Sequence, residues 1–209
     1  RNNEIALGMG YDILRLQGMK SRLVVDGEEF EGTAYFQKVT VQAPSVPWFW
    51  GMLHFDDGSY LDWFMPHITP LSTAKDDKPW RKRDTTRVPL KEAGIFHDRV
   101  RGETHEFDHC KVELAKSAEG LLDAEGNMLP DFRIRMWNDT TRVDLRISAY
   151  SRARWTFDQP TRGGMVSHLT YNEYPFEVTS ISIHDEIGER TESDLSLIHI
   201  SEPTRRYSI

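Results

Sequence analysis

A chain of 209 residues holds one domain, or one and part of a second, at ~100–200 residues per domain. With 38% hydrophobic and 28% charged residues it is globular, which excludes disordered, collagenous and disulfide-scaffold classes. A net charge of -7 argues against a nucleic-acid partner, which needs a basic footprint. The single Cys110 excludes an intramolecular disulfide.

No run approaches the ~20 apolar residues of a membrane span, so a soluble or membrane-peripheral protein is expected. The chain opens on Arg1 instead of methionine and is read as a fragment, which leaves localisation open. Residues 5–16 fit either element. Ile5, Met9, Ile13 and Leu16 are spaced for a helix, while Gly8, Gly10 and Gly18 oppose one. Period-two alternation then predicts strands at residues 22–25, 33–41, 48–55 and 59–65.

The last two of these flank Asp57-Gly58, a dipeptide suited to a two-residue hairpin turn. That turn pairs Phe55 with Tyr60, Leu53 with Asp62, Met52 with Trp63 and Trp50 with Met65. One face then carries Trp50, Met52, His54, Leu61, Trp63 and Met65. The other carries Gly51, Leu53, Phe55, Tyr60, Asp62 and Phe64. Two largely apolar faces imply that both are covered, one by protein and the other by a ligand or a second barrel. Asp62 among apolar neighbours reads in two ways. Desolvation makes it a proton donor near neutral pH, or it accepts backbone hydrogen bonds or faces a basic side chain beside aromatics that are simply core.

Residues 75–88 and 117–130 read as charged surface loops. Between them, His105-Glu-Phe-Asp-His109 matches the H-E-x-x-H zinc pattern, which requires a helix. The alternation of His109 to Leu114 predicts a strand instead, and in a strand the two imidazoles lie about 13 Å apart, too far to share a metal. No metal site is therefore expected.

Further strands are expected at residues 109–114, 165–171 and 176–183. The strictest alternation runs over residues 141–157, with Val143, Leu145 and Ile147 inward and Arg142, Arg146, Arg152 and Arg154 outward. A tight turn at Asn138-Asp139 pairs it with residues 132–137 and sets Ile134 against Val143 and Arg133 against Asp144. With Arg133 and Arg135 these arginines make a basic stripe, read as solvated and ion-paired or as a site for an anionic head group or partner barrel. Gly163-Gly164 reads as a turn. Many antiparallel strands and hardly any helix predict an all-β barrel or sandwich.

The motifs GTAYFQ at 32–37, PWFW at 47–50, DDGSYL at 56–61 and YNEY at 171–174 resemble the carotenoid 1,2-hydratase (hydroxyneurosporene synthase) and AttH-like superfamily. That resemblance covers residues 32–183 and implies a lipocalin-like β-barrel from a tandem two-barrel protein, with the domain placed at residues 20–193. Residues 1–19 would then be a remnant of the preceding domain or a connector. It also implies an isoprenoid or lipid-like ligand, a companion barrel domain as partner, and hydration of a terminal double bond without a cofactor. A carboxylic acid would protonate the alkene, and aromatic faces would stabilise the tertiary carbocation until water adds. The matching positions are Tyr60 and Asp62 for the acid, with Trp48, Trp50 and Trp63 as the aromatic wall. His54 and Tyr35 complete the candidate ligand-binding set. The competing readings are a non-catalytic lipid-binding or barrel-pairing module and, further off, a zinc metalloprotease using HEFDH. Residues 194–209 resemble translated sequencing-adapter read-through and are set aside as a non-native tail.

Overall fold

The computed structural model describes residues 2–6, 9–41, 46–68, 87–160, 164, 166–191 and 194–195. They form an all-β protein in which every strand pairing is antiparallel, and no helix occurs among the described residues. Among these residues, no helix is therefore long and apolar enough to cross a membrane.

The alternation that predicted strands also builds the core. One sheet lays β4 (Trp48–His54), β5 (Tyr60–Ile68), β7 (Ala93–Asp98) and β8 (Glu103–Phe107) side by side, with the short β6 (Val88–Pro89) on β5. A second orders β9 (His109–Lys116), β10 (Pro130–Trp137), β11 (Arg142–Ala149), β14 (Phe176–Asp185) and β15 (Gly188–Thr191) from edge to edge as β9-β10-β11-β14-β15. Inward residues of the two sheets share one core: Phe55, Leu61, Trp63 and Phe96 from the first, Ile134, Met136, Val143, Leu145 and Ile183 from the second. The fit is close. A Cβ on Gly94 would lie 2.4 Å from Met136 Sδ, and one on Gly51 would lie 2.2 Å from the Trp63 ring, so these glycines give space to large side chains.

A third layer covers the other face of the first sheet. It consists of β1 (Asn2–Ala6), β2 (Met9–Val25) and β3 (Glu28–Val41), in that order. Residues 5, 6 and 9–16 are thus extended, and β2 runs unbroken through residues 19 and 20, where the sequence placed a domain boundary. A separate hairpin joins β12 (Ala153–Pro160) to β13 (Val166–Glu173).

Two hairpins depart from the expected register, each because its loop is longer. At Asp57-Gly58 only Gly58 has positive φ, at 85°, and the loop is Asp56-Asp57-Gly58, closed by Phe55 N to Ser59 O at 2.9 Å. Asp57 Oδ1 accepts the Ser59 N–H at 2.7 Å, so its side chain stabilises a three-residue loop with a left-handed glycine. Pairing is then His54 with Tyr60, Met52 with Asp62, Gly51 with Trp63 and Trp50 with Phe64. This one-residue slip exchanges partners between faces. The two-residue turn with both φ positive occurs at Asp26-Gly27, at 51° and 85°, joining β2 to β3.

At Asn138 the loop has four residues, and Asn138 Oδ1 accepts the N–H groups of Thr140 at 3.0 Å and Thr141 at 2.7 Å. Ile134 therefore opposes Leu145 and Met136 opposes Val143, a shift of two that preserves the faces. Arg133 still reaches Asp144, diagonally.

The strand expected over residues 141–157 divides. Val143, Leu145 and Ile147 are buried in β11 and Arg142 and Arg146 exposed, but the chain leaves the sheet after Ala149 and re-forms as β12. Arg152 sits at this corner and is not a solvated arginine. Its side chain is 2% exposed, with Nε 2.8 Å from Asp123 Oδ2 and Nη2 2.8 Å from Glu125 Oε2. The loop containing Asp123 is accordingly tied down, with Ser117 and Leu129 buried. Of the loop expected over residues 75–88, all but Arg87 and Val88 lie outside the described residues, as does residue 163 of the expected glycine turn.

Leu195, in the segment set aside as a tail, is 7% exposed and belongs to the core cluster. Leu195→Ala is expected to destabilise the fold by about 2 kcal/mol or more, as for other buried leucines, read as a lower urea midpoint. An unchanged midpoint would return residue 195 to the tail.

A buried ion network closes one end of the sandwich. Arg190 Nη1 lies 2.7 Å from Asp98 Oδ2, Arg190 Nη2 3.2 Å from Asp185 Oδ2, and Arg101 Nη1 2.7 Å from the same Asp185 oxygen. Arg190 also stacks over the Phe96 ring at 5.3 Å.

Candidate functional site

The corrected register decides what surrounds Asp62. Alternation in β5 turns Leu61, Trp63 and Met65 into the sandwich and turns Tyr60, Asp62 and Phe64 toward the β2–β3 layer, with Trp50, Met52 and His54 of β4 beside them. Asp62 is 5% exposed and meets polar side chains of β2. Arg15 Nη1 donates to both of its carboxylate oxygens, at 2.7 and 2.6 Å, and Gln17 Nε2 donates to Oδ2 at 3.2 Å.

The network continues. Arg15 Nε donates to Gln37 Oε1 at 3.0 Å. Because Gln17 gives its NH2 to Asp62, its Oε1 accepts from His54 Nε2 at 2.9 Å, which assigns the Nε2–H tautomer. His54 Nδ1 then accepts from the Thr33 hydroxyl at 3.0 Å. Both ring nitrogens are satisfied in the neutral form, in line with the burial that lowers the His54 pKa. A β-bulge places Gln17 here. The β2–β3 register jumps between Leu16 and Met19, and Gly18 takes a φ of 62° that a side chain would strain.

These charges set the chemistry available. A guanidinium touching both oxygens favours the ionised carboxylate, the form in which Asp62 accepts hydrogen bonds. Burial, then the neighbouring Asp62 charge, pushes the Tyr60 phenol up and keeps its proton in place. Tyr35 is also pushed up, by burial and then by Glu173 and Asp62, against the lowering effect of Arg15.

Beside the Arg15–Asp62 pair lies a cleft of about 220 Å³ between β2 and the β5–β7 surface. Tyr11, Ile13, Phe64 and Ile95 give it apolar walls, while Arg15, Gln17, Asp62 and Lys91 supply polar groups. Tyr60 also lines it. The remaining candidates divide. Trp50 packs under the β2–β3 layer, with Tyr35 at 5.5 Å and the Arg15 guanidinium over its ring at 5.2 Å. Trp63 belongs to the core on the opposite face of the sheet, 6.4 Å from Phe176. Trp48, on the same face of β4 as Trp50, packs on Tyr171 at 5.8 Å in a cluster with Trp155. No common wall of Trp48, Trp50 and Trp63 therefore forms. Arg15, Gln17 and Thr33 were missed, although Ile13, Arg15 and Gln17 alternate as one strand face would.

The HEFDH motif crosses from β8 to β9 with a bend at Asp108. His105 Nδ1 lies 3.1 Å from Thr141 Oγ1 and its ring stacks on Phe96, whereas His109 stacks on Trp137 at 5.0 Å. The helix needed to bring both imidazoles to one ion is replaced by two strands. Cys110 is buried and its thiol is pushed up to about 12 by burial and then by Glu92, which removes it as a thiolate nucleophile at neutral pH.

Comparison of the chain with protein-family models, with curated proteins and with solved structures finds no match.

Proposed function

We propose that the domain is a small-molecule binding module that takes one end of a long apolar molecule, an isoprenoid or a lipid, into the cleft between β2 and β5. The observation that carries this reading is the contact of Arg15 Nη1 with both Asp62 oxygens at the edge of an apolar-walled cleft. Its volume of about 220 Å³ lies below the ~300–1,000 Å³ of pockets that enclose drug-sized ligands, so it suits part of a long molecule. The Arg15 contact favours binding over acid-catalysed hydration, because protonating Asp62 would take one of its oxygens from Arg15.

An acyclic carotene and a long-chain isoprenoid alcohol, each titrated while tryptophan emission is followed, provide the test. Saturable binding is expected, weakened at least tenfold by Ile13→Glu, with the starting compound recovered unchanged. Absence of binding by both compounds sinks the reading. A hydrated product whose formation is lost in Asp62→Asn would replace it with the hydratase reading.

A further inference from the structure

The third layer ends on an open strand. β3 is the edge of the β1-β2-β3 sheet, and among the described residues no strand pairs with its outer side. It has the features that natural edges avoid. It runs for 14 residues, Glu28–Val41, and contains no proline. The bulge of this hairpin lies in β2, leaving β3 regular. Between Glu31 and Lys38 the sequence Gly-Thr-Ala-Tyr-Phe-Gln carries no charge.

The middle of the face turned away from the sandwich is apolar as well. Residues of β3 alternate, and Thr33 on the inner side reaches His54, so Phe30, Ala34 and Phe36 point outward. They are joined by Leu14, Leu16 and Leu23 of β2, and Phe30 and Phe36 remain 47% and 49% exposed. Such an edge and face call for more sheet.

We propose that the occupant is a second copy of this chain, added by antiparallel pairing of the two β3 edges about a two-fold axis through Thr33. In an antiparallel pair, directly opposed residues share a face, so a symmetric pairing must set residue i against a residue of equal parity. The candidate registers differ in what meets Lys38. With Ala34 on the axis Lys38 faces Phe30, and with Gly32 on the axis it lies opposite Asp26, in the turn beyond β3. With Thr33 on the axis it faces Glu28, and Phe30 faces Phe36. Both contacts occur twice by symmetry, giving two ion pairs and two aromatic pairs on the outer face. The two three-stranded layers become one continuous sheet, in which main-chain hydrogen bonds supply the association and the charge pairs fix the register.

The test uses the whole chain in sedimentation and size-exclusion experiments over a concentration series. Wild type is expected to double its mass as concentration rises. Lys38→Glu and Glu28→Lys, each at an exposed position, are expected to stay monomeric, because each sets like charges opposite one another twice. An equimolar mixture of the two variants restores both opposite-charge pairs and is expected to recover the dimer. The double variant Glu28→Lys/Lys38→Glu should dimerise like wild type. Circular dichroism identical to wild type confirms that each single variant is folded. A wild type that stays monomeric at all concentrations overturns the proposal. So does a dimer indifferent to both single reversals, which would place the contact elsewhere.

Discussion

Asp98→Ala is expected to destabilise the protein by about 3–5 kcal/mol, the usual consequence of removing one member of a buried ion pair. Asp98 is 1% exposed and receives Arg190 Nη1 at 2.7 Å and the Arg101 backbone N–H at 3.0 Å. Without it, Arg190 keeps Asp185 at 3.2 Å but has a guanidinium nitrogen facing a void in the protein. Urea unfolding gives the loss directly. As a control, Asp158→Ala removes an exposed partner of His168 and should change the midpoint little.

The same network makes acid unfolding steep. Burial pushes the Asp98 carboxyl up, but the Arg101 N–H and the Arg190 side chain outweigh it and hold the group below its ordinary range. Asp185 behaves alike: burial opposes, and the Ile187 N–H and the Arg101 side chain prevail. Carboxylates with depressed folded values bind protons more readily when unfolded. Their contribution is therefore complete above the unfolded value of about 4 and disappears as pH falls through the lower folded values. Stability measured from pH 6 downward should drop less in Asp98→Asn than in wild type. Parallel curves would remove Asp98 from the acid-sensitive network.

What could be read in the sequence was what depends on near neighbours. The inward set Val143, Leu145 and Ile147 followed from alternation, because a strand period of two needs no knowledge of its partner. The Arg133–Asp144 pair also survived a shift of two residues, since opposed and diagonal positions on one face are both within reach of an arginine. Turn length was the weak point. Asp57-Gly58 and Asp26-Gly27 are the same dipeptide, yet the first lies in a three-residue loop, with Asp57 hydrogen-bonded to Ser59, and the second makes the two-residue turn. One residue in a loop then moved Trp63 into the core and set Asp62 beside Trp50 and His54.

The partners of Asp62 were beyond reach for another reason. Arg15 and Asp62 are 47 positions apart and belong to different layers, and no local pattern reports which strand covers a sheet face. Residues 5–16 also carry three glycines nearby and apolar residues at helical spacing, which competed with the alternation of Ile13, Arg15 and Gln17. The Asp98–Arg190 contact, at a separation of 92, was invisible on the same grounds.

Arg15→Ala should have the second large effect, and a double-mutant cycle with Asp62→Ala shows its origin. Removing Arg15 takes the guanidinium away from the Asp62 carboxylate, which is 5% exposed and keeps the Gln17 amide, and a loss of about 3–5 kcal/mol is expected. Asp62→Ala should cost less, because the Arg15 side chain is 19% exposed and keeps Gln37 and the Trp50 ring. The double variant should be more stable than the sum of the singles requires, with a coupling of about 2 kcal/mol. Additive effects would mean that the pair contributes no more than its separate packing. Acid offers a second readout of the same charge. In Arg15→Ala the buried carboxylate has lost its guanidinium, so its charged form is less favoured than in wild type, and the gap between variant and wild type should narrow as pH is lowered. A gap independent of pH would show that Arg15 acts through its methylenes over Trp50.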